Sequence, residues 1–198
     1  MKHAVIIGGS MAGLLAARVL SDHFQTVTIL ERDEFPDGVR DRRGVPQGRH
    51  AHGLLAKGAE RIIAMFPGIR EELVADGAIS IDMGTSMRWY HFGGFKTEKQ
   101  TGLIGTLQSR ALLETHIRRR VLALPNVIAI QGRDAQGLMF DDGGTRVTGV
   151  IAGEPIAGDL VIDSRLRRPS RIEGADRRGL QHAHLPAQPR RFAAPVKR

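Results

Sequence analysis

The chain has 198 residues, of which 41% are hydrophobic, 25% charged and 5% aromatic, a composition that excludes a fibrous or wholly disordered protein. It contains no cysteine, which excludes disulfides, thiolate metal sites and a cysteine nucleophile. The longest stretch without a charged residue runs from His3 to Ala17 and has 15 residues. A membrane-spanning helix needs about 20 apolar residues, so no transmembrane helix and no membrane partner are predicted.

The net charge of +8 comes entirely from residues 165–198, which hold ten Lys or Arg residues and two acids. Residues 1–164 carry 19 basic and 19 acidic residues. We therefore predict a neutral globular domain over 1–164 and a basic, disordered tail over 165–198. The tail has no aromatic platform for bases, so it supports at most non-specific nucleic-acid contact.

The first 30 residues have the pattern of a βαβ unit. His3–Gly8 is a short apolar run and predicts a strand, and Thr26–Leu30 predicts a second one. Between them, apolar residues at 12, 15, 16, 19 and 20 predict a helix over 12–23 with that face buried. A right-handed crossover would make the two strands parallel.

The remaining elements follow a polar loop over 32–49. Two helices are predicted first, over 50–65 and 67–75, and then two strands, over 86–92 and 103–107, around a Gly93-Gly94 turn. Next come a helix capped by Ser109 that ends before Pro125 and a strand over Val127–Gln131. The last predicted elements are a hairpin of Gly137–Phe140 with Arg146–Ala152 and a strand over Asp159–Asp163. The strands at 3–8, 26–30, 127–131 and 159–163 are expected to share one sheet. The predicted fold class is α/β, a Rossmann-like domain with a mainly parallel sheet, a small antiparallel hairpin insertion, and an inserted strand segment over 80–108 that is part of a substrate domain.

A glycine-rich turn joins the first strand to the first helix. Its residues are Gly8, Gly9, Ser10, Met11, Ala12 and Gly13, a G-x-G-x-x-G motif with Ser10 at the second glycine position. The first glycine permits the tight turn, the small second residue lets a pyrophosphate approach the backbone, and the third lets helix and strand pack closely. In this context, between strand and helix, the motif predicts dinucleotide binding at the helix N-terminus.

Glu31 ends the second strand, 18 residues after Gly13. A carboxylate at this place can accept hydrogen bonds from both ribose hydroxyls of an adenosine, and it would repel a 2′-phosphate. The alternative is a solvated acid at a strand end, which is less common at this spacing. Two nearby histidines, His50 and His52, are too few for a metal site, so no metal is predicted.

Three segments carry a family resemblance: GGSMAGLLAARVL, TVTILERD and RDRRGVPQGRHAHGLL. They resemble the FAD-dependent oxidoreductases of the aromatic-hydroxylase, or flavoprotein monooxygenase, superfamily. In that superfamily the loop after the second strand lies along the flavin and an arginine contacts FAD. LQSRALLETHIRRR is similar to a further segment, in which an arginine at a helix start reaches the cofactor. The cofactor residues that the resemblance adds are Arg32, Arg42 with Arg43 as a close second, Gln47 and Arg110.

The resemblance covers residues 3 to 163 and implies a cytoplasmic FAD enzyme of monooxygenase type, with flavin reduced by NAD(P)H and a small organic substrate. A halogenase or a reductase of unsaturated lipids is an alternative within the enzyme class, and no residue stands out as a catalytic acid or base. After Asp163 the superfamily pattern stops, and the later Gly-Asp motif that holds FAD is absent. Two further hypotheses stay open: a truncated or frame-shifted FAD-domain remnant without catalysis, and a dinucleotide-binding module whose basic tail binds a partner. The oligomeric state is also open.

Overall fold

A computed structural model describes residues 2–42 and 51–165 of the chain. The helices in these residues are α1 (Met11–Leu20), α2 (Ala56–Met65), α3 (Ile69–Ala75) and α4 (Arg110–Leu122). The strands are β1 (His3–Ile7), β2 (Thr26–Leu30), β3 (Ala51–Leu54), β4 (Ile79–Asp82), β5 (Tyr90–His91), β6 (Gly94–Phe95), β7 (Ile104–Ser109), β8 (Val127–Ile130), β9 (Gly137–Phe140), β10 (Val147–Ala152), β11 (Glu154–Ala157) and β12 (Leu160–Asp163). None of the described helices is long and apolar enough to cross a membrane.

The central element is a four-stranded parallel sheet in the order β12-β1-β2-β8. Strand β1 lies inside this sheet, and its residues Ala4 to Ile7 are at most 2% exposed. Such a strand must be apolar on both faces, which is why the run AVII contains no polar residue. The predicted parallel, Rossmann-like sheet is therefore confirmed.

Alternate residues of β1 enter two different cores. Ala4 and Ile6 pack in the core that also contains residues of α1 and α4, whereas Val5 and Ile7 pack in a second core with Val150 of β10. Because successive side chains of a strand point to opposite faces, the sheet is covered by helices on one side and by the antiparallel sheet β11-β10-β9 on the other. The predicted hairpin of Gly137–Phe140 with the strand ending at Ala152 is confirmed as β9 and β10.

Helix α1 differs from its prediction in its length and in its buried face. It ends at Leu20, and its buried residues are Gly13, Leu14 and Ala17, whereas Ala12 and Val19 are exposed. The predicted face is partly right: Leu15, Ala16 and Leu20 pack against the core, but the close approach at Gly13 rotates the helix so that Leu14 and Ala17 are its most buried side chains. Periodicity among many apolar residues could not select that rotation.

The predicted helix over 50–65 was wrong in its first turn. Residues Ala51–Leu54 form β3, which pairs antiparallel with β7, and α2 begins only at Ala56. Strand β7, with which β3 pairs, lies about fifty residues further along the chain. The apolar pattern of residues 50–65 alone therefore did not indicate a strand.

The strand predicted over 103–107 is observed as β7, but of the strand predicted over 86–92 only Tyr90–His91 is formed. The residues around the Gly93-Gly94 turn form a two-stranded ribbon, β5 with β6, and β7 pairs with β3 and β4 instead. Strands β4 and β11 were not predicted. Helix α4 was predicted correctly: the Ser109 side chain accepts a hydrogen bond from the Leu112 amide, at 3.1 Å, and caps the helix.

Candidate functional site

The carboxyl end of β1 turns sharply at Gly8, which has a φ of 100° and donates its amide to the Leu30 carbonyl over 2.8 Å. A Cβ at Gly13 would overlap the Gly8 carbonyl oxygen, so at this point the backbones of α1 and of the turn are in direct contact. The Ser164 hydroxyl, just after β12, lies 2.8 Å from the Ile7 carbonyl oxygen and 2.9 Å from that of Gly8. The turn at the end of β1 is therefore held by hydrogen bonds from the ends of both neighbouring strands, β2 and β12.

The N-terminus of α1 opens beside this turn. Ser10 occupies the N-cap position, but its side chain makes no capping hydrogen bond, and the first turn contains no acidic residue. The Ser10 hydroxyl instead donates to Glu114 Oε2 over 3.3 Å. The first amides of a helix have no partner within the helix, and the helix dipole places positive potential there. This end of α1 can therefore receive an anion.

Glu31, directly after β2, is 7% exposed, and both of its carboxylate oxygens accept hydrogen bonds. Its Oε2 accepts the Gly9 amide at 2.8 Å, and its Oε1 accepts the Asp33 amide at 3.1 Å. Burial by itself would raise the pKa of the Glu31 carboxyl. The guanidinium of Arg42 and these amides outweigh burial and hold the pKa below its ordinary value, so Glu31 is ionised at neutral pH.

Arg42 joins two buried carboxylates that are far apart in the chain. Its Nη2 lies 2.7 Å from Glu31 Oε2, and its Nη1 lies 2.9 Å from Glu114 Oε1. Nη1 also donates to the Gly9 carbonyl oxygen over 3.1 Å. The side chain is 6% exposed, and its Nε is buried without a hydrogen-bond partner among the described residues. The two carboxylates raise the pKa of Arg42 against the opposite effect of burial, so the guanidinium stays charged.

Further arginines surround Glu114. Arg110, the first residue of α4, has its Nε 3.3 Å from Glu114 Oε2. Arg118 follows Glu114 by about one turn of α4, and burial lowers the pKa of its guanidinium. The guanidinium groups of Arg42 and Arg118 lie 5.2 and 5.3 Å from the ring centre of Phe35, within cation–π distance. These arginines and Arg40 line a small cleft together with Asp41 and Glu114, and its volume of about 10 Å³ holds no more than a water molecule in this conformation.

The structure brings most of the predicted site residues together, namely Gly8, Gly9, Ser10, Gly13, Glu31, Arg42 and Arg110. Met11 packs against the core and Ala12 is exposed beside the turn. The Arg32 side chain is 60% exposed and lies 3.5 Å from Asp33, apart from the cluster. Arg43 and Gln47 lie outside the described residues.

Sequence reasoning missed Phe35 and Glu114. The ring of Phe35 lies so close to Gly9 that a Cβ there would come within 2.7 Å of Phe35 Cζ. For Glu114 a signal was present, because it follows Arg110 by four residues on one helix and such pairs face each other. For Phe35 the local sequence carried no signal.

Comparisons with known proteins agree on the fold. The chain is 38% identical over 177 residues to protein Rv3254 of Mycobacterium tuberculosis, covering 82% of this chain and 37% of that protein. It is similar in structure to PqsL of Pseudomonas aeruginosa, which is described as "a probable FAD-dependent monooxygenase". The TM-score is 0.57, the identity 15%, and the coverage 81% of this chain and 40% of that one. It is also similar to the tetrameric form of 2-methyl-3-hydroxypyridine-5-carboxylic acid oxygenase, with a TM-score of 0.53, 21% identity, and coverage of 81% and 38%.

The chain thus spans less than half the length of the proteins it resembles. No protein-family model matches the sequence. At these identities the solved structures establish the fold, and a fold by itself does not establish a reaction. Over about four-fifths of its length, this chain has the same fold as the corresponding parts of PqsL and of 2-methyl-3-hydroxypyridine-5-carboxylic acid oxygenase.

Proposed function

We propose that the chain binds FAD at the carboxyl end of the parallel sheet, with the diphosphate at the N-terminus of α1. The observation that carries the proposal is the convergence there of the glycine turn, an uncapped helix end and a buried arginine, Arg42, between two buried carboxylates. Ligands of open parallel sheets bind at this end of the strands.

The residues present fit such a cofactor. Gly8, Gly9 and Gly13 bring no side chain of their own to the turn, although the Phe35 ring lies against Gly9, and the first amides of α1 have no partner within the helix. Glu31 would accept the ribose hydroxyls, and its negative charge disfavours a 2′-phosphate. The unpartnered Nε of Arg42 and the Arg110 guanidinium are donors suited to phosphate oxygens.

We further propose that the site serves an FAD-dependent oxidoreductase of monooxygenase type that uses NAD(P)H and oxidises a small organic substrate. FAD, when bound, supplies the redox chemistry, and the protein binds and orients it. The fold shared with FAD-dependent monooxygenases supports this reaction class. Because the chain spans 37% of its curated relative, turnover is a separate claim from FAD binding. The rival is a chain that binds FAD weakly or not at all and has no activity.

A titration of the purified chain with FAD, followed by flavin fluorescence and by the visible spectrum, tests the binding claim. The parent should bind FAD, and Glu31→Ala should bind at least about tenfold more weakly because charge-assisted bonds contribute about 1.5–3 kcal/mol. Glu98→Ala is the matched control, since Glu98 is exposed and pairs only loosely with Arg88 at 3.7 Å. Equal affinity of Glu31→Ala and the parent would show that the site is wrong.

An NAD(P)H oxidation assay on the FAD-loaded chain tests the second claim. Oxidation of NAD(P)H above the rate of free FAD would support the enzyme. FAD binding without NAD(P)H oxidation above the rate of free FAD would support the non-catalytic alternative.

A further inference from the structure

We propose that Glu114 is a positioning residue for the cofactor diphosphate: it holds Arg42 and Arg110 at the mouth of α1 and ties them to Ser10. The inference rests on the proposed FAD site and adds a residue to it that would not itself touch the cofactor. It begins from an unusual feature, a carboxylate with 3% exposure in the middle of a site expected to receive an anion.

Both oxygens of Glu114 are used. Oε1 pairs with Arg42 Nη1 at 2.9 Å, whereas Oε2 lies 3.3 Å from Arg110 Nε and 3.3 Å from the Ser10 hydroxyl. Each partner comes from a different segment: the loop after β2, the start of α4 and the N-cap of α1. Glu114 is therefore the contact that gathers three separate parts of the chain around the same helix end.

The two arginines depend on Glu114 to different degrees. Arg42 keeps a second carboxylate, Glu31 at 2.7 Å, and would stay in place without Glu114. Arg110 has no other ion pair within the part of the chain that the structure describes, and its side chain is 15% exposed. Removal of the Glu114 charge should therefore release Arg110 first.

Besides positioning the arginines, which favours diphosphate binding, Glu114 carries a negative charge, which repels a diphosphate. The two effects change the affinity in opposite directions. Glu114 is flanked by two guanidinium groups, so its field toward the cleft is largely neutralised, and the geometric effect is expected to prevail. Loss of arginine positioning weakens phosphate binding, whereas loss of repulsion strengthens it and does so most at low salt. Affinity measured at two salt concentrations separates them.

The test is Glu114→Gln, which keeps the size of the side chain and removes its charge. We expect the affinities for FAD and for ADP to fall by about tenfold at about 0.15 M salt, with adenosine unchanged, because only the phosphates meet the arginines. Ser10→Gly should give a smaller loss, since Arg42 and Arg110 keep their carboxylate. Glu72→Gln is the matched control: Glu72 also pairs with arginines of α4, Arg119 and Arg120, but away from the cleft.

A readout without ligand guards against a general folding defect. The Nε–H signal of Arg110 can be assigned in a proton–nitrogen NMR spectrum, because it is lost in Arg110→Lys. Its exchange with solvent hydrogen should be slow in the parent and in Glu72→Gln, and fast in Glu114→Gln. If the parent binds FAD and Glu114→Gln binds it equally well or better, the positioning role is overturned while the proposed function stands. If the parent binds neither FAD nor ADP, the proposed function fails and this inference with it.

Discussion

The parallel sheet and the antiparallel extension, defined as residues 79–109, differ in how completely their apolar residues are covered. In β1, Ala4, Val5 and Ile6 are fully buried because helices pack on one face of the sheet and strands on the other. In the extension, Ile79 is 63% exposed and Phe92 is 98% exposed. Truncation of the same type of side chain should therefore lower the free energy of unfolding much more in the parallel sheet than in the extension.

The largest difference is expected between Ile6→Ala and Ile79→Ala. Ile6 has no exposed surface, so its truncation leaves a cavity and should lower the free energy of unfolding by about 2–5 kcal/mol. Ile79 loses little buried area, and its truncation should cost less than about 0.5 kcal/mol. Urea denaturation of both variants measures the contrast, and similar costs would refute the layered description of the sheet.

A comparable contrast is expected between two glycines. In Gly13→Val the new side chain meets the Gly8 carbonyl oxygen, which must move, at a cost of about 3 kcal/mol. The displaced turn should also lose FAD affinity. Gly94→Ala in the β5–β6 ribbon is the control, because no atom lies within 4 Å of its new Cβ. Thermal melts and FAD titrations of the two variants check the prediction, and a Gly13→Val protein with parental affinity would contradict it.

Replacing Glu31 with Ala should destabilise the ligand-free protein by about 2 kcal/mol, because Arg42 and the Gly9 amide lose a buried acceptor. The loss is moderate because Arg42 keeps Glu114. Glu60→Ala removes an exposed pair with Lys57, which solvent screens, and should leave the free energy of unfolding unchanged within error. Chemical denaturation of both proteins without FAD gives the two values.

The pH dependence of stability should include a contribution from Glu72, a residue of α3 that pairs with Arg119 and Arg120 of α4. The hydrogen bond from Arg120, aided by His116, lowers the pKa of Glu72 from 4.5 to about 2. A lowered folded-state pKa stabilises the fold above pH 4.5, and this contribution is lost as the pH falls toward 2. Since Glu72 is partly exposed, the contribution should not exceed about 1 kcal/mol. Unfolding of Glu72→Gln and the parent should differ at pH 7 and converge near pH 2–3; a constant difference would contradict the prediction.

The smallest effect on stability is expected at the tip of the β5–β6 ribbon. Phe92→Ser removes an aromatic ring that is 98% exposed, so the unfolding free energy should change by less than about 0.5 kcal/mol. The same change should reduce association of the protein at high concentration, because exposed apolar surface promotes it. Sedimentation velocity at several concentrations checks this, and a large loss of stability would mean that Phe92 is packed.

Several elements could be predicted from sequence because their determinants are local. The strand Thr26–Leu30 matched residue for residue, since an apolar β-branched run is followed at once by Glu31 and Arg32. The Ser109 cap and the glycine turn were also evident, because capping and turn chemistry need particular residue types at particular positions. The first turn of the predicted 50–65 helix failed, since β3 exists only through pairing with β7.

The sequence by itself determined the parallel βαβ core and the presence of a glycine turn followed by an acid. The tertiary structure alone decided that Arg42 lies between Glu31 and Glu114, that Phe35 covers Gly9, and that Gly13 fixes the face of α1. The physical reason is the range of the interactions. Apolar period and turn preference act over a few residues, whereas the Arg42–Glu114 pair joins side chains 72 residues apart and forms only when α4 has packed beside α1.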